Sequence, residues 1–263
     1  MKCLNLYFTA FCILISLNVF GQTPQQIEAD LLKSFKKIGY WNQQRDKDTS
    51  GAWGNKLAQA NNNFGRKLKY YAEKYPATIT DPFQSLLKEH LDISSSADGL
   101  FRIYSWDTRT GGTEHFFENV FQYKSEQKTT AIFDTLNYGH DDDIINYHKV
   151  CSFKVNDISY YLAIYLIIGS TKDVSDGIHI FTVKNGKLKN AKIIKTPSGL
   201  HSDLSYDYNF FSVVNIPFGK RPAIRFDNAT NTIYLPLVDG NRNMTNKFIL
   251  YKFTGQYFEK VKS

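Results

Sequence analysis

The feature that most constrains this chain is a change of hydrophobic period near residue 96, from the three-and-four spacing of helices to the alternation of strands. Before the change, Ile27, Leu31, Phe35 and Ile38 form one apolar stripe. Thr23 and Pro24 supply an N-cap and a first helical residue, and Gln26 completes a capping box. Gly39 is expected to close this helix. A second stripe runs Trp53, Leu57, Ala60, Phe64, Leu68, Tyr71 and Tyr75 until Pro76 forbids continuation, with Gly54 and Gly65 weakening it locally. Asp81 as cap and Pro82 at the first position announce a third, shorter helix, with Phe83, Leu86, Leu87 and His90 or Leu91 facing inward.

After Ser94, Ser95 and Ser96 the pattern alternates, Leu100, Arg102, Tyr104 and Trp106 against Phe101, Ile103 and Ser105. Further strand-like runs fall at 116–123, 129–133, 149–155, 159–168, 178–183, 191–194, 209–214, 223–226, 232–238 and 248–253. Short runs separated by turn residues predict antiparallel sheet. Asp173, Asp176 and Gly177 read as one such turn, and Asp239 with Gly240 as another. A faint repeat relates 160–188 to 233–257: each reads strand, polar loop, strand and a turn glycine, Gly186 or Gly255. A poorer copy begins at Leu100, passes Gly111 and Gly112 and ends near Phe121 and Tyr123. The expected fold is α+β: about three helices over 22–95 packed on a mostly antiparallel β domain over 96–263. Repeated hairpin units suit an open sandwich or a propeller-like sheet, and two or three are too few for a closed propeller.

The N-terminus carries Lys2 and then an apolar run from Leu4 to Phe20, the order of a signal peptide over residues 1–21, cleaved after Gly21. Asn5, Thr9, Ser16 and Asn18 interrupt the run, which leaves it short of the ~20 apolar residues of a membrane span. Phe11 before Cys12 argues against a lipid anchor. The Phe20-Gly21-Gln22 ending and the richness in Asn, Lys and Tyr resemble exported proteins of Bacteroidota-type bacteria. That resemblance implies a periplasmic or extracellular location and nothing about activity. Loss of Cys3 and Cys12 with the leader leaves Cys151 alone, so an intramolecular disulfide is excluded and Cys151 reads as a small buried hydrophobe.

The formal net charge is +7, one unit less without Lys2, which favours anionic partners. The basic residues are scattered, which argues against nucleic acid. No Gly-rich phosphate loop, no CxxC pair and no metalloprotease motif occurs. Arg102, Trp106, Asp107, Glu114 and His115 gather around Gly111 and Gly112 and form the candidate ligand site. A Trp beside carboxylates suits stacking on a sugar ring, and Asp107 with Glu114 suits a glycosidase-like acid/base pair. The same residues equally suit a core Trp and a hairpin turn.

His140, Asp141 and Asp143, with Asp142 between them and His148 five residues on, are the candidate metal ligands. Carboxylates in one loop suit calcium and imidazoles suit zinc, although the spacing is not that of an EF-hand and an acidic turn accounts for the same residues. Ser198, His201 and Asp203 fall within a short stretch that lacks a nucleophile elbow and reads as a polar loop. Two functional expectations follow. One is a non-catalytic envelope protein, without cofactor, that binds a macromolecule or glycan through loops at one end of its sheet. The other is a periplasmic or secreted hydrolase of a glycan or phosphoester that uses a carboxylate pair or a metal.

Overall fold

The computed structural model of the protein describes residues 22–126, 128–133 and 144–261; the expected leader lies outside them. Three helices come first: α1 (Pro24–Gln43), α2 (Ala52–Lys74) and α3 (Gln84–Lys88). The capping box that starts α1 is formed. The Thr23 hydroxyl accepts from the Gln26 amide at 3.3 Å, and the Gln26 side chain accepts from the Thr23 amide at 2.9 Å. Gly39 does not end the helix, because Trp41 beyond it packs on the helical core and outweighs a glycine penalty of ~1 kcal/mol. Along α2 the expected stripe is buried from Leu57 to Tyr71, and Gly65 is part of the packing surface. A Cβ there would stand 2.2 Å from the Phe133 ring, so glycine admits the sheet against the helix.

The third helix begins two residues later than its sequence signal, at Gln84, after Phe83 in the left-handed region (φ 45°). Asp81 accepts from the Phe83 amide, while the first turn is capped from α1: Glu28 accepts from the amides of Ser85 (2.5 Å) and Leu86 (3.4 Å). Leu86 and Leu91 face inward, and Leu87 and His90 are exposed.

Three mostly antiparallel sheets follow. The first sheet has the order β1 (Asp92–Ser95), β2 (Phe101–Asp107), β3 (Phe117–Ser125), β4 (Lys128–Phe133). Because β1 pairs with β2, the sheet starts ahead of the expected boundary at 96. The second sheet runs β5 (Ile145–Val155), β6 (Ile158–Ile168), β7 (Asp173–Lys184), with β8 (Lys187–Asn190) and β11 (Asp203–Asn209) sharing the outer edge of β7. In the third, β10 (Gly199–His201), β9 (Ile194–Thr196), β15 (Phe258–Lys260), β14 (Met244–Phe253), β13 (Thr232–Val238) and β12 (Arg225–Asp227) lie side by side. Only β9 beside β15 is parallel among the described pairs. The sequence repeat corresponds to β6–β7–β8 and β13–β14–β15, whose tight turns carry Gly186 and Gly255 at positive φ. No closed barrel or propeller forms among the described residues.

Residues 209–214, expected as a strand, hold a 3-10 turn, Phe210–Ser212. The strand lies just before, in β11, where Leu204, Tyr206 and Tyr208 alternate with Ser205 and Asp207 and pair along Asp173–His179 of β7.

The layers follow from strand alternation. On β2 and β3, Tyr104, Trp106 and Val120 face the helices, whereas Phe101, Ile103, Phe121 and Tyr123 face the second sheet against Tyr147, Tyr161, Tyr165 and Phe181. The opposite face of the second sheet, with Leu162, Ile164, Ile178 and Ile180, packs on Ile194, Ile233, Leu235 and Phe258 of the third. Helices and three sheets therefore form four stacked layers with three apolar seams, each large side chain contributing ~1.5–3 kcal/mol. Cys151 is half-buried at the edge of the outermost seam, and burial pushes its thiol up. No described helix is long and apolar enough to cross a membrane.

Candidate functional site

The site grows from a buried amide. Asn61 lies on the buried face of α2 and spends its side chain on the end of β2: its carbonyl accepts from the Trp106 indole at 3.0 Å, and its amide donates to Thr108 O at 2.9 Å. The chain leaving β2 is thereby fixed to the helical layer. Thr108 closes the base of the following loop through its amide and hydroxyl, both donated to Phe116 O at 2.9 and 3.0 Å. Gly111 permits the tight path, since a Cβ there would stand 2.1 Å from Glu114 O. The glycine pair marks a close approach rather than slack.

Arg45, just past α1, donates to Arg109 O (3.1 Å) and Gly111 O (3.2 Å) while its guanidinium lies 5.0 Å from the centre of the Trp53 ring. On the other side the His115 amide donates to Ile168 O in β6 at 3.0 Å. Loop 107–116 is thus held from α1, from α2 and from the second sheet.

Asp107 is the centre of the loop's polar groups. One carboxylate oxygen accepts from the Arg109 amide at 2.7 Å; the other meets His115 Nδ1 at 2.8 Å and the Arg109 guanidinium at 3.6 Å. A carboxylate only accepts, so Nδ1 of His115 is the donor in this contact. The His115 ring also stacks on Phe117, with centroids 6.3 Å apart.

Two adjoining clefts open here. One of about 410 Å³ is bordered by Lys36, Tyr40, Gln43, Glu89 and His90, the other of about 170 Å³ by Asn42, Arg45, Glu114 and His115. Asp107 and Arg109 border both. Lys36 and Glu89 form an ion pair at 3.0 Å along the larger cleft; it is exposed and contributes ~1 kcal/mol or less. Tyr40 is 55% exposed beside it.

Of the five residues proposed from sequence, Asp107, Glu114 and His115 meet at the smaller cleft. The other two do not. Trp106 is 1% exposed and packs between Phe64 and Phe133, so it offers no stacking surface. Arg102 is buried: its guanidinium donates to Thr78 O and Asp81 O at 2.6 Å each and to Ser95 Oγ, holding the 76–83 segment on the sheet. Both residues lie on the helix-facing side of β2, where alternation from Tyr104 had to place them. Arg45, Arg109 and Tyr40 were missed, because a helix-end Arg, a turn Arg and an exposed Tyr look the same from sequence wherever they sit.

His140, Asp141 and Asp143 lie outside the described residues; among the described ones no group of three His, Cys, Asp or Glu side chains is placed to hold a metal. Ser198 and His201 do meet, Oγ to Nε2 at 2.9 Å, but on the exposed β9–β10 hairpin, while Asp203 pairs opposite His179 in the β7–β11 ladder. Asp176 and Gly177 belong to β7 and not to a turn. No protein family, curated protein or solved structure matches the chain.

Proposed function

We propose that this is an exported, non-catalytic envelope protein that binds a glycan in the cleft between α1 and loop 107–116. The observation that carries the reading is the pre-formed group Asp107, Arg109 and His115 at the rim of two joined clefts. Paired acceptors and donors on one rigid loop match the vicinal hydroxyls of a sugar, and an exposed aromatic such as Tyr40 offers a ring for stacking. A loop held from α1, α2 and the second sheet loses little entropy when a ligand docks. Lys36, Arg45 and Arg109 are balanced by Glu89, Asp107 and Glu114, which suits a polar ligand of low net charge better than a polyanion. Export rests on the leader, and the three sheets stacked face to face suit the open-sandwich reading of the β part.

Calorimetric titration with N-acetylglucosamine oligosaccharides and with uronate oligosaccharides tests the reading. Binding of at least one class, weakened about tenfold or more by Asp107→Asn with the melting temperature kept, supports it. No binding to either, or unchanged binding by the variant, removes it. The second reading, a hydrolase, is favoured by Asp107 and Glu114 lining one cleft. Release of reducing ends that is abolished by Glu114→Gln would establish it in place of the first.

A further inference from the structure

The most exposed large apolar side chain sits far along the chain from the cleft, in the segment between β11 and β12. Phe218 is 87% exposed, Phe211 55% and Val214 47%. Single exposed apolar residues are ordinary, but three within eight positions mark an interaction surface. The segment is held firmly. The Phe210 amide donates to Lys172 O at 2.8 Å, the Asn209 amide to Arg242 O at 2.7 Å and the Met244 amide to Ser212 Oγ at 3.1 Å, tying it to the β6–β7 and β13–β14 connections. Buried Val213 roots it beside Val174 and Tyr208. Arg221 donates from Nε to Ile216 O at 3.0 Å, and its guanidinium lies 5.3 and 5.8 Å from the rings of Phe210 and Phe218. Phe218 is therefore held in water by a built loop, at a cost that a partner would recover.

The chemistry around the tip selects the partner. All three residues of the 3-10 turn Phe218–Lys220 are exposed, so the turn presents an apolar tip to solvent. Lys220 is exposed in the turn itself, Lys172 is exposed where its carbonyl accepts from the Phe210 amide, and the Arg221 guanidinium lies against Phe218. The neighbouring carboxylates are engaged locally: Asp173 pairs with Arg242 at 2.9 Å, Asp239 accepts from the amides of Asn241 and Asn243, and Asp207 accepts from Ser175. An apolar tip with cations behind it matches the boundary between acyl chains and headgroups of an anionic bilayer. We infer that the protein docks peripherally on an anionic lipid surface through residues 210–221. Phe211, Val214 and Phe218 enter the boundary, and Lys172, Lys220 and Arg221 meet lipid phosphates.

Co-sedimentation of the mature protein with phosphatidylglycerol-containing vesicles, against phosphatidylcholine vesicles alone, tests the inference. The expected result is binding to the anionic vesicles only, about tenfold or more weaker for the double change Phe211→Ser and Phe218→Ser, and weaker for Lys172→Gln with Lys220→Gln. A Phe218→Trp variant should shift its emission to the blue on the same vesicles, a readout that loss of folding does not produce. Absence of wild-type binding, or equal binding by the double serine variant, overturns the inference. So does a concentration-dependent dimer that Phe218→Ser dissolves, which would assign the tip to a second copy of the chain.

Discussion

Asp176 and His179 stand three residues apart on β7, facing opposite sides of the second sheet, and burial moves them in opposite directions. Desolvation raises the Asp176 carboxyl to about 6, against a partial pull downward from the Tyr206 hydroxyl that donates to it at 2.9 Å. Desolvation lowers His179 to about 4. With Asp176 the folded state holds the proton more tightly than the unfolded chain, so its contribution is full below the unfolded value near 3.8 and is lost as pH rises through about 6. With His179 the folded state holds it less tightly, so stability is gained as pH rises from about 4 to about 6.5. Each effect is worth ~2–3 kcal/mol and the two windows nearly coincide. Chemical denaturation across pH 4–7 should therefore show a stability that rises with pH in Asp176→Asn and falls with pH in His179→Gln, relative to wild type. Equal slopes in all three proteins would contradict the burial of both groups.

Asn61 illustrates what is legible at the scale of single residues. An Asn among the apolar positions of α2 shows in the sequence, but its partners, the Trp106 indole and Thr108 O, lie about 45 residues away and no local pattern announces them. Asn61→Ala should cost ~1–3 kcal/mol by leaving the buried indole unpaired. It should also weaken ligand binding in the cleft by releasing the end of β2, as read by calorimetry and by a denaturation midpoint.

Among the elements, α1 and α2 were readable because each carries its own cap or breaker and a long stripe. The start of α3 was not, since its cap is Glu28 on another helix. The short β1 gives too few residues for a period to show, and β11, which alternates aromatics with polar residues, was not among the strand-like runs. The site divides in the same way. Turn chemistry around Gly111 pointed to Asp107, Glu114 and His115, whereas alternation along β2 should have withdrawn Arg102 and Trp106, whose neighbour Tyr104 faces the helices. At this scale Leu57→Ala and Leu68→Ala, both at fully buried positions of α2, should each cost ~2–5 kcal/mol. Equilibrium unfolding followed by far-ultraviolet circular dichroism would measure the loss, and a cost below about 1 kcal/mol would place the stripe outside the core.

For the molecule as a whole, the seam between helices and first sheet contains Trp106, Val120 and Ala131 together with Leu31, Phe64 and Leu68, so the helices complete the β stack and are not an annex. Helical and sheet signals should melt in one transition, and the Leu57→Ala protein should shift both together. A first transition that removes helical signal alone would show that the layers are independent. The same continuity is why loop 107–116, pinned from α1, α2 and β6, offers a rigid cleft. The most direct test of that cleft as the ligand site is hydrogen exchange, by mass spectrometry, of the protein with and without a saturating oligosaccharide. The account predicts slowed exchange concentrated in residues 36–45 and 107–116; slowing confined to the third sheet, or spread evenly over the chain, would contradict it.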